Sequence, residues 1–157
     1  MKLLKAALFT ALFSCAGLAN AELISNVPLD TSRFELMPIS ELSASAAQGN
    51  NHAQFYLAKR LQKGEGVQPN LQQARLWLEK AAMRGDNRAS YTLALLDEKQ
   101  KNLVDAYKWY DLAARDGMLD EKVRNKARGK IGQLALNLSS ADIASARSKA
   151  DTWFQSK

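Results

Sequence analysis

The chain has little of the side-chain chemistry that catalysis usually needs. Its 157 residues include one histidine, His52, and one cysteine, Cys15. A general base or a metal site needs several positioned partners, and a single histidine provides only one such group. His52 begins a helix and corresponds to Arg88 in the second repeat, so we expect it to be a solvated polar residue. The pair Gly64 and Gly66 has no preceding strand and no third glycine, so it predicts a helix stop rather than a phosphate-binding loop. We therefore expect no catalytic activity, no metal and no cofactor.

Long hydrophobic runs are also missing, except for a short one at the start. Lys2 and Lys5 precede an apolar run at residues 6–14, which is shorter than the ~20 residues of a membrane-spanning helix. The run leads to Ala-Asn-Ala at residues 19–21, typical of a signal-peptide cleavage site. We expect a signal peptide at residues 1–21, cleavage between Ala21 and Glu22, no transmembrane span after processing, and a periplasmic or secreted protein.

Cys15 leaves a second localisation open, because Leu-Phe-Ser-Cys at residues 12–15 is similar to a lipoprotein lipobox. Phe13 departs from that pattern, which has a smaller residue there. If the cut follows Ala21, the mature chain has no cysteine and can form neither a disulfide nor a thiolate metal site. The alternative is a lipoprotein anchored through Cys15.

Neither sign of charge dominates the mature chain. The full chain has 22 basic and 16 acidic residues, and loss of Lys2 and Lys5 would reduce the net charge from +6 to +4. An exported chain rarely meets nucleic acid, so we expect none as a partner. Anionic lipid, a cell-wall polymer and an acidic protein face fit this charge better, but scattered lysines on a soluble surface explain it better than any of these three.

Proline is confined almost entirely to the beginning of the mature chain. Two prolines and no sustained helical period predict an extended arm or linker at residues 22–38. Only Pro69 follows, and alanine and leucine dominate from Ile39 onward. That part of the chain is therefore predicted to be all-helical.

Internal similarity is the strongest signal in the sequence. Residues 52–58 match residues 88–94 at an offset of 36, and residues 70–74 match residues 102–106 at an offset of 32. A fixed period in this range indicates stacked supersecondary units. The change of offset places a four-residue deletion between the two helices of the second unit, which should make their connection tighter. A half unit is predicted at residues 39–49, full units at 50–85 and 86–117, and capping helices at 119–157.

Each unit has the spacing of two amphipathic helices, with small alanines that allow close helix packing. Trp77 and Trp109 occupy the same place in the two units, and both are predicted to be buried. Asn70 and Asn102 are predicted N-caps, and Ser139 with Asp142 forms a predicted capping box. The fold class predicted is all-α: a short α/α solenoid of helix hairpins, a tetratricopeptide-like superhelix of about seven helices. The residues that define the repeat are Ala53, Leu57, Ala58, Gly64, Gly66, Val67, Ala74, Trp77, Ala81, Ala82 and Gly85 in the first unit, and Ala89, Leu93, Ala94, Ala106, Trp109, Tyr110, Ala113, Ala114 and Gly117 in the second.

This pattern resembles the Sel-one-like repeat, a relative of the tetratricopeptide repeat with a slightly longer unit. The resemblance covers roughly residues 39–118, and the second unit departs from it by lacking the glycine loop. It implies a non-catalytic adaptor, scaffold or regulator that binds a protein partner in a helical groove. In exported bacterial members it also implies, as an alternative, an immunity-type inhibitor of a secreted toxin. The positive charge leaves an envelope polymer- or polysaccharide-binding module as a further alternative. A cysteine-rich branch is linked to β-lactams, but its cysteines are absent here.

Two candidate binding surfaces compete with plainer interpretations. Tyr107, Trp109 and Tyr110 could form a carbohydrate platform, but their helical spacing beside alanines favours core and groove lining. The other candidate is a polar stripe, interpreted alternatively as an ordinary solvated helix face. The stripe is expected to line the concave side, where solenoids bind partners, and to contain no acidic residue. It consists of His52, Tyr56, Lys59, Lys63, Arg88, Thr92 and Lys99.

Overall fold

Helices account for all the regular secondary structure in the computed structural model, which describes residues 32–115 and 120–156. The signal peptide, Cys15, the Ala21–Glu22 bond and Gly117 lie outside these ranges. Within them there are eight helices and no strand. They are α1 (Ser32–Leu36), α2 (Ile39–Ala47), α3 (Asn51–Lys63), α4 (Leu71–Met83), α5 (Asn87–Lys99), α6 (Leu103–Ala114), α7 (Glu121–Ala135) and α8 (Ser140–Gln155).

The helices pack as the two predicted hairpins with flanking helices. Helix α3 packs against α4 and α5 against α6, and α4 contacts α5 between the two units. Helix α2 covers α3 at one end, and α7 and α8 both pack on α6 at the other. The all-α solenoid is thereby confirmed.

Residues at equivalent positions of the two repeats form a common core. Ala53 and Ala89 are fully buried, as are Ala58 and Ala94, and Leu57 and Leu93 are buried beside them. Small side chains at these positions allow the helix backbones to approach, while leucine fills the remaining volume. The offset of 36 found in the sequence is therefore an offset between equivalent core sites.

Side-chain caps set the start of most helices. Asn50, Asn70, Asp86 and Asp120 each accept a hydrogen bond from a backbone N–H in the first turn of the helix that follows. The predicted capping box of Ser139 and Asp142 is present at α8 in both directions. These caps satisfy donors that a helix leaves unpaired at its N-terminus.

The connection inside each hairpin differs as the deletion predicts. In the first unit Gly64 ends α3 in the left-handed region at φ 75°, and the loop runs to Leu71. In the second unit α6 begins only four residues after α5 ends. The reversal there falls on Lys101, at φ 63°. Asn102 occupies the N-cap position but, contrary to the prediction, makes no side-chain capping bond.

Two other structural predictions need correction. The segment predicted as an extended arm forms the short helix α1 over its last part, and Phe34 of that helix is buried. Trp77, predicted to be buried like Trp109, is only partly buried. It lines two cavities beside α2, whereas Trp153 of α8 packs on Trp109.

Candidate functional site

The predicted polar stripe lies partly under helix α1. The ring of Phe34 stacks on His52 and on Tyr56, with centroids 5.9 Å and 6.4 Å apart. Arg60, beside the stripe on α3, donates a hydrogen bond of 2.6 Å to the backbone oxygen of Glu35. The first repeat's portion of the stripe is thus partly occupied by residues of the same chain.

The stripe's basic residues also have acidic partners from outside it. Lys59 pairs with Glu35 at 3.7 Å and Lys63 with Glu65 at 3.2 Å. Arg88 forms a shorter pair, 2.6 Å, with the fully buried Asp86. The stripe itself contains no carboxylate, but its positive charge is largely compensated by these neighbours. Its last two members differ from each other: the Thr92 hydroxyl donates to the Arg88 backbone oxygen, and Lys99 is exposed.

His52 was expected to be solvated, and that expectation is wrong. It is 9% exposed because Phe34 covers it. Its Nδ1 lies 2.6 Å from the Arg88 guanidinium, which can only donate, so the neutral tautomer with Nδ1 as acceptor fits. Burial, and secondarily the Arg88 charge, lower the pKa of His52 below its ordinary value of 6.5. The ring therefore links α3 to α5 as a structural residue.

An open groove that none of the stripe residues lines lies elsewhere on the surface. It runs between α2 and α4, and Trp77 and Lys80 of α4 line both of its halves. One half is a cavity of about 590 Å³ and the other of about 430 Å³. The first half is lined by Ala46, Ala47, Gly49, Gln54, Trp77, Lys80, Met83 and Arg84, and the second by Ser43, Leu57, Leu61, Val67, Gln73, Leu76, Trp77 and Lys80. We call it the Trp77 groove.

The Trp77 groove combines an apolar face with positive charge. The Lys80 ammonium lies 4.2 Å from the centre of the Trp77 ring, in a cation–π contact. Leu76 and Met83 are both exposed beside it, at 58% and 44%. The guanidinium of Arg84 lies over Gly49, so close that a Cβ there would come within 2.8 Å of a guanidinium nitrogen.

Gln54, which lines the Trp77 groove, has one buried polar atom with no hydrogen-bond partner among the residues that the structure describes. Gln54 is 3% exposed, and its Nε2 donates a hydrogen bond of 3.1 Å to the backbone oxygen of Ala46. Its Oε1 is buried and accepts no hydrogen bond from any residue in the described ranges. Unsatisfied buried acceptors are uncommon in folded proteins, and each calls for an explanation.

Trp109, the tryptophan of the second repeat that is equivalent to Trp77, is covered by another aromatic side chain. Trp109 is 1% exposed because Trp153 of α8 packs edge-to-face against it, with centroids 4.9 Å apart. Lys108 lies 3.9 Å from the Trp109 ring centre, and burial lowers its pKa. Among the described residues, no aromatic ring packs against Trp77 in the same way. A large side chain supplied from within the chain thus covers one of the two equivalent tryptophans.

The aromatic cluster of α6 is core, which excludes the carbohydrate platform. Tyr107, Trp109 and Tyr110 are all 1% exposed or less. The Tyr110 hydroxyl donates to Glu98 at 2.6 Å, and Lys130 of α7 donates to the same carboxylate. The Tyr110 bond is the main reason that the pKa of Glu98 is lowered. This cluster joins α5, α6 and α7.

The neighbouring carboxylates Asp97 and Glu98 do not act as a pair. Asp97 instead receives two hydrogen bonds, of 2.9 Å and 3.0 Å, from Arg75 of α4. Within the described ranges, no three histidine, cysteine or acidic residues are grouped as they would be to hold a metal ion. No helix there is long and apolar enough to span a membrane.

Sequence reasoning missed the main residues of the Trp77 groove, although a signal for some of them was available. Lys80 and Arg84 follow Trp77 at i+3 and i+7, the spacing of one helix face. Gln54 gave no such signal, because its position on α3 differs little from that of a solvated polar residue.

Comparison with known proteins agrees with the architecture. The Sel1 repeat family model matches residues 51–86 and 93–118. The chain therefore contains Sel1-like repeats in these two stretches. Sel1 repeats are generally protein-interaction modules and are typically non-catalytic helical scaffolds. No curated protein matches the chain.

A solved structure with the same fold is that of c5321, a protective antigen present in uropathogenic Escherichia coli strains displaying an SLR fold. The TM-score is 0.65 at 24% sequence identity. The match covers 74% of this chain and 25% of the other, so this Sel1-like chain spans about a quarter of that protein's length. This likeness concerns the fold alone.

Proposed function

We propose that this Sel1-like protein is a non-catalytic adaptor of the bacterial envelope that holds a segment of a partner protein in a surface groove. The Sel1 repeats support a protein partner. The observation that carries the proposal is the open Trp77 groove, where a buried acceptor of Gln54 lacks a hydrogen bond. Solenoids bind partners along surfaces formed by several helices, and this groove is formed by three.

The predicted polar stripe remains a second candidate surface within the same function. Lys63 and Lys99 are exposed, and Tyr56 is partly exposed. Partner binding there competes with the contacts that Phe34 and Glu35 already make. The Trp77 groove is the better supported of the two because it is open.

Affinity isolation from envelope extract tests the adaptor role. The parent protein is compared with Lys80→Glu in the Trp77 groove and with Tyr56→Ala combined with Lys59→Glu in the stripe. We expect at least one saturable protein partner, identified by quantitative mass spectrometry and lost with one of the two variants. If both folded variants recover the same proteins as the parent, neither surface binds a partner and the adaptor proposal is wrong.

Salt separates this proposal from polymer binding. Charge attraction at a surface is screened over ~8 Å at physiological ionic strength, so polymer binding through scattered lysines should disappear as salt is added. A protein segment that also buries apolar surface should be retained at the same salt concentration.

Export of the protein is the second part of the proposal. The Ala-x-Ala motif at residues 19–21 supports cleavage before Glu22. We predict that intact-mass analysis of the envelope fraction gives a chain of residues 22–157. A lipid-modified N-terminal cysteine would instead identify Cys15 as the anchor, and an uncleaved cytoplasmic chain would contradict export.

A further inference from the structure

The unsatisfied acceptor in the Trp77 groove defines one part of a ligand. The amide orientation of Gln54 is fixed because Nε2 donates to Ala46, which leaves Oε1 as the atom without a partner. Oε1 can only accept, so the ligand atom opposite it must carry an N–H or O–H. A peptide backbone supplies such a donor at almost every residue.

The charged residues of the groove indicate a second chemical feature of the ligand. Within the described part of the chain, neither Lys80 nor Arg84 forms an ion pair, in contrast to Arg75 on the same helix. Arg75 is paired with Asp97 and Glu79, so Glu79, next to Lys80 in sequence, is already engaged. Carboxylates of a ligand could therefore form ion pairs with both Lys80 and Arg84, because no carboxylate of α4 is paired with either of them.

The apolar surface of the groove indicates a third chemical feature of the ligand. Trp77, Ala47 and Met83 expose apolar atoms where the equivalent Trp109 is covered by Trp153. The contact between Trp109 and Trp153 shows that this class of repeat position accepts an aromatic ring edge-to-face. A large apolar side chain on the ligand would bury the corresponding surface of Trp77.

We infer that the Trp77 groove binds an acidic protein segment that inserts one aromatic or long aliphatic side chain beside Trp77. Its carboxylates pair with Lys80 and Arg84, and a backbone N–H donates to Gln54 Oε1 once the Gln54 side chain, buried in the free protein, shifts toward the groove. The two adjoining cavities on either side of Trp77 suit a chain that continues past the inserted side chain, rather than a compact small molecule. The inference rests on the proposed adaptor function and adds the chemistry of the partner.

Fluorescence anisotropy with synthetic peptides tests this chemistry on the full chain. The probe is a labelled, capped peptide with a central tryptophan flanked by glutamates. Two companion peptides replace the tryptophan with alanine or the glutamates with lysines. We expect saturable binding of the first peptide and about tenfold or greater weakening with either companion, since buried aromatic anchors dominate such interfaces.

Three protein variants locate the binding. Lys80→Glu should weaken the acidic peptide about tenfold and strengthen the lysine peptide. Ala47→Trp adds a large side chain to the exposed wall of α2, and so should block the groove without removing any of its ligand-binding residues. Lys122→Glu, on the exposed surface of α7, makes the same change in net charge and should leave binding unchanged. Circular dichroism melts check that each variant is folded.

The outcomes separate this inference from the adaptor proposal. If the acidic peptide does not bind, or binds equally to the parent, Lys80→Glu and Ala47→Trp, the inference is wrong. In that case a partner isolated from envelope extract through the stripe still supports the adaptor function. If Lys122→Glu weakens binding as much as Lys80→Glu, the attraction is general to the surface and the assignment to this groove is wrong.

Discussion

Lys101 carries the backbone reversal that glycine carries in the first repeat. It is the one non-glycine among the described residues with positive φ, whereas Gly64 makes the corresponding turn with φ 75°. A side chain in this region meets steric strain of ~1–2 kcal/mol. The shorter loop of the second repeat therefore has a strained residue between α5 and α6.

We predict opposite effects of substitution at these two turns. Lys101→Gly should stabilise the protein by about 0.5–1 kcal/mol, the relieved strain less the added flexibility of the unfolded chain. Gly64→Ala should destabilise it by ~1 kcal/mol or more, because its Cβ would also lie 2.9 Å from Pro69. Reversible urea denaturation measures both. A stabilising Gly64→Ala would show that the left-handed turn is not retained.

His52 gives the fold a dependence on pH. Its pKa is lowered in the folded state by burial, and then by Arg88, so below pH 6.5 the unfolded chain binds the proton more readily. This contribution to stability is complete above pH 6.5 and is lost as the pH falls from there through the folded-state pKa.

We expect the free energy of unfolding to fall between pH 7.5 and pH 5 in the parent, and to fall less in His52→Gln. Glutamine retains a polar side chain that can accept from Arg88 but does not titrate. Urea denaturation at several pH values gives the difference between the two proteins. Parallel pH profiles would mean that His52 does not carry the effect.

At the scale of the helix, equivalent positions in α4 and α6 have different environments. Trp109 is enclosed by Trp153 of α8, and Trp77 borders an open groove. The same repeat motif thus places a structural residue in one unit and a surface residue in the other. The neighbouring helix, rather than the repeat motif, determines whether the tryptophan is buried.

Alanine substitution should separate the two tryptophans. Trp109→Ala is expected to cost ~3–5 kcal/mol, from lost transfer free energy and the cavity left behind. Trp77→Ala should cost only ~1–2 kcal/mol, since part of its ring is already in water. Equal losses in reversible denaturation would mean that the groove at Trp77 is closed in solution.

For the whole molecule, two full repeats depend on the helices that flank them. Helix α2 covers α3, and α7 and α8 cover α6. A repeat array generally needs about three units, or caps in their place, for stability. Helix α8 also closes the core above Trp109, so it has the role of a terminal cap.

Removal of α8 should therefore disrupt more than the C-terminus. We predict that a chain ending at Asn137 loses its sharp unfolding transition and shows red-shifted tryptophan emission as Trp109 becomes exposed. A chain ending at Gln155 retains α8 and serves as the control. Unchanged unfolding of the shorter chain would mean that the first seven helices are stable by themselves.

The sequence was sufficient for the repeat, because periodicity determines which face of each helix is apolar. The match of Ala53 with Ala89 and of Leu57 with Leu93 identified core positions, and the glycine and asparagine spacing located most helix ends. Tyr110 was correctly assigned to core packing for the same reason. The family assignment followed from these local spacings.

Only the tertiary structure decided which of those faces a neighbour covers. His52 is buried because Phe34, outside the repeat, stacks on it. The groove beside Trp77 exists because α2 leaves space there, and Gln54 lines it from a third helix. Burial and unpaired polar atoms depend on contacts between segments far apart in the chain, and the spacing within one helix does not specify those contacts.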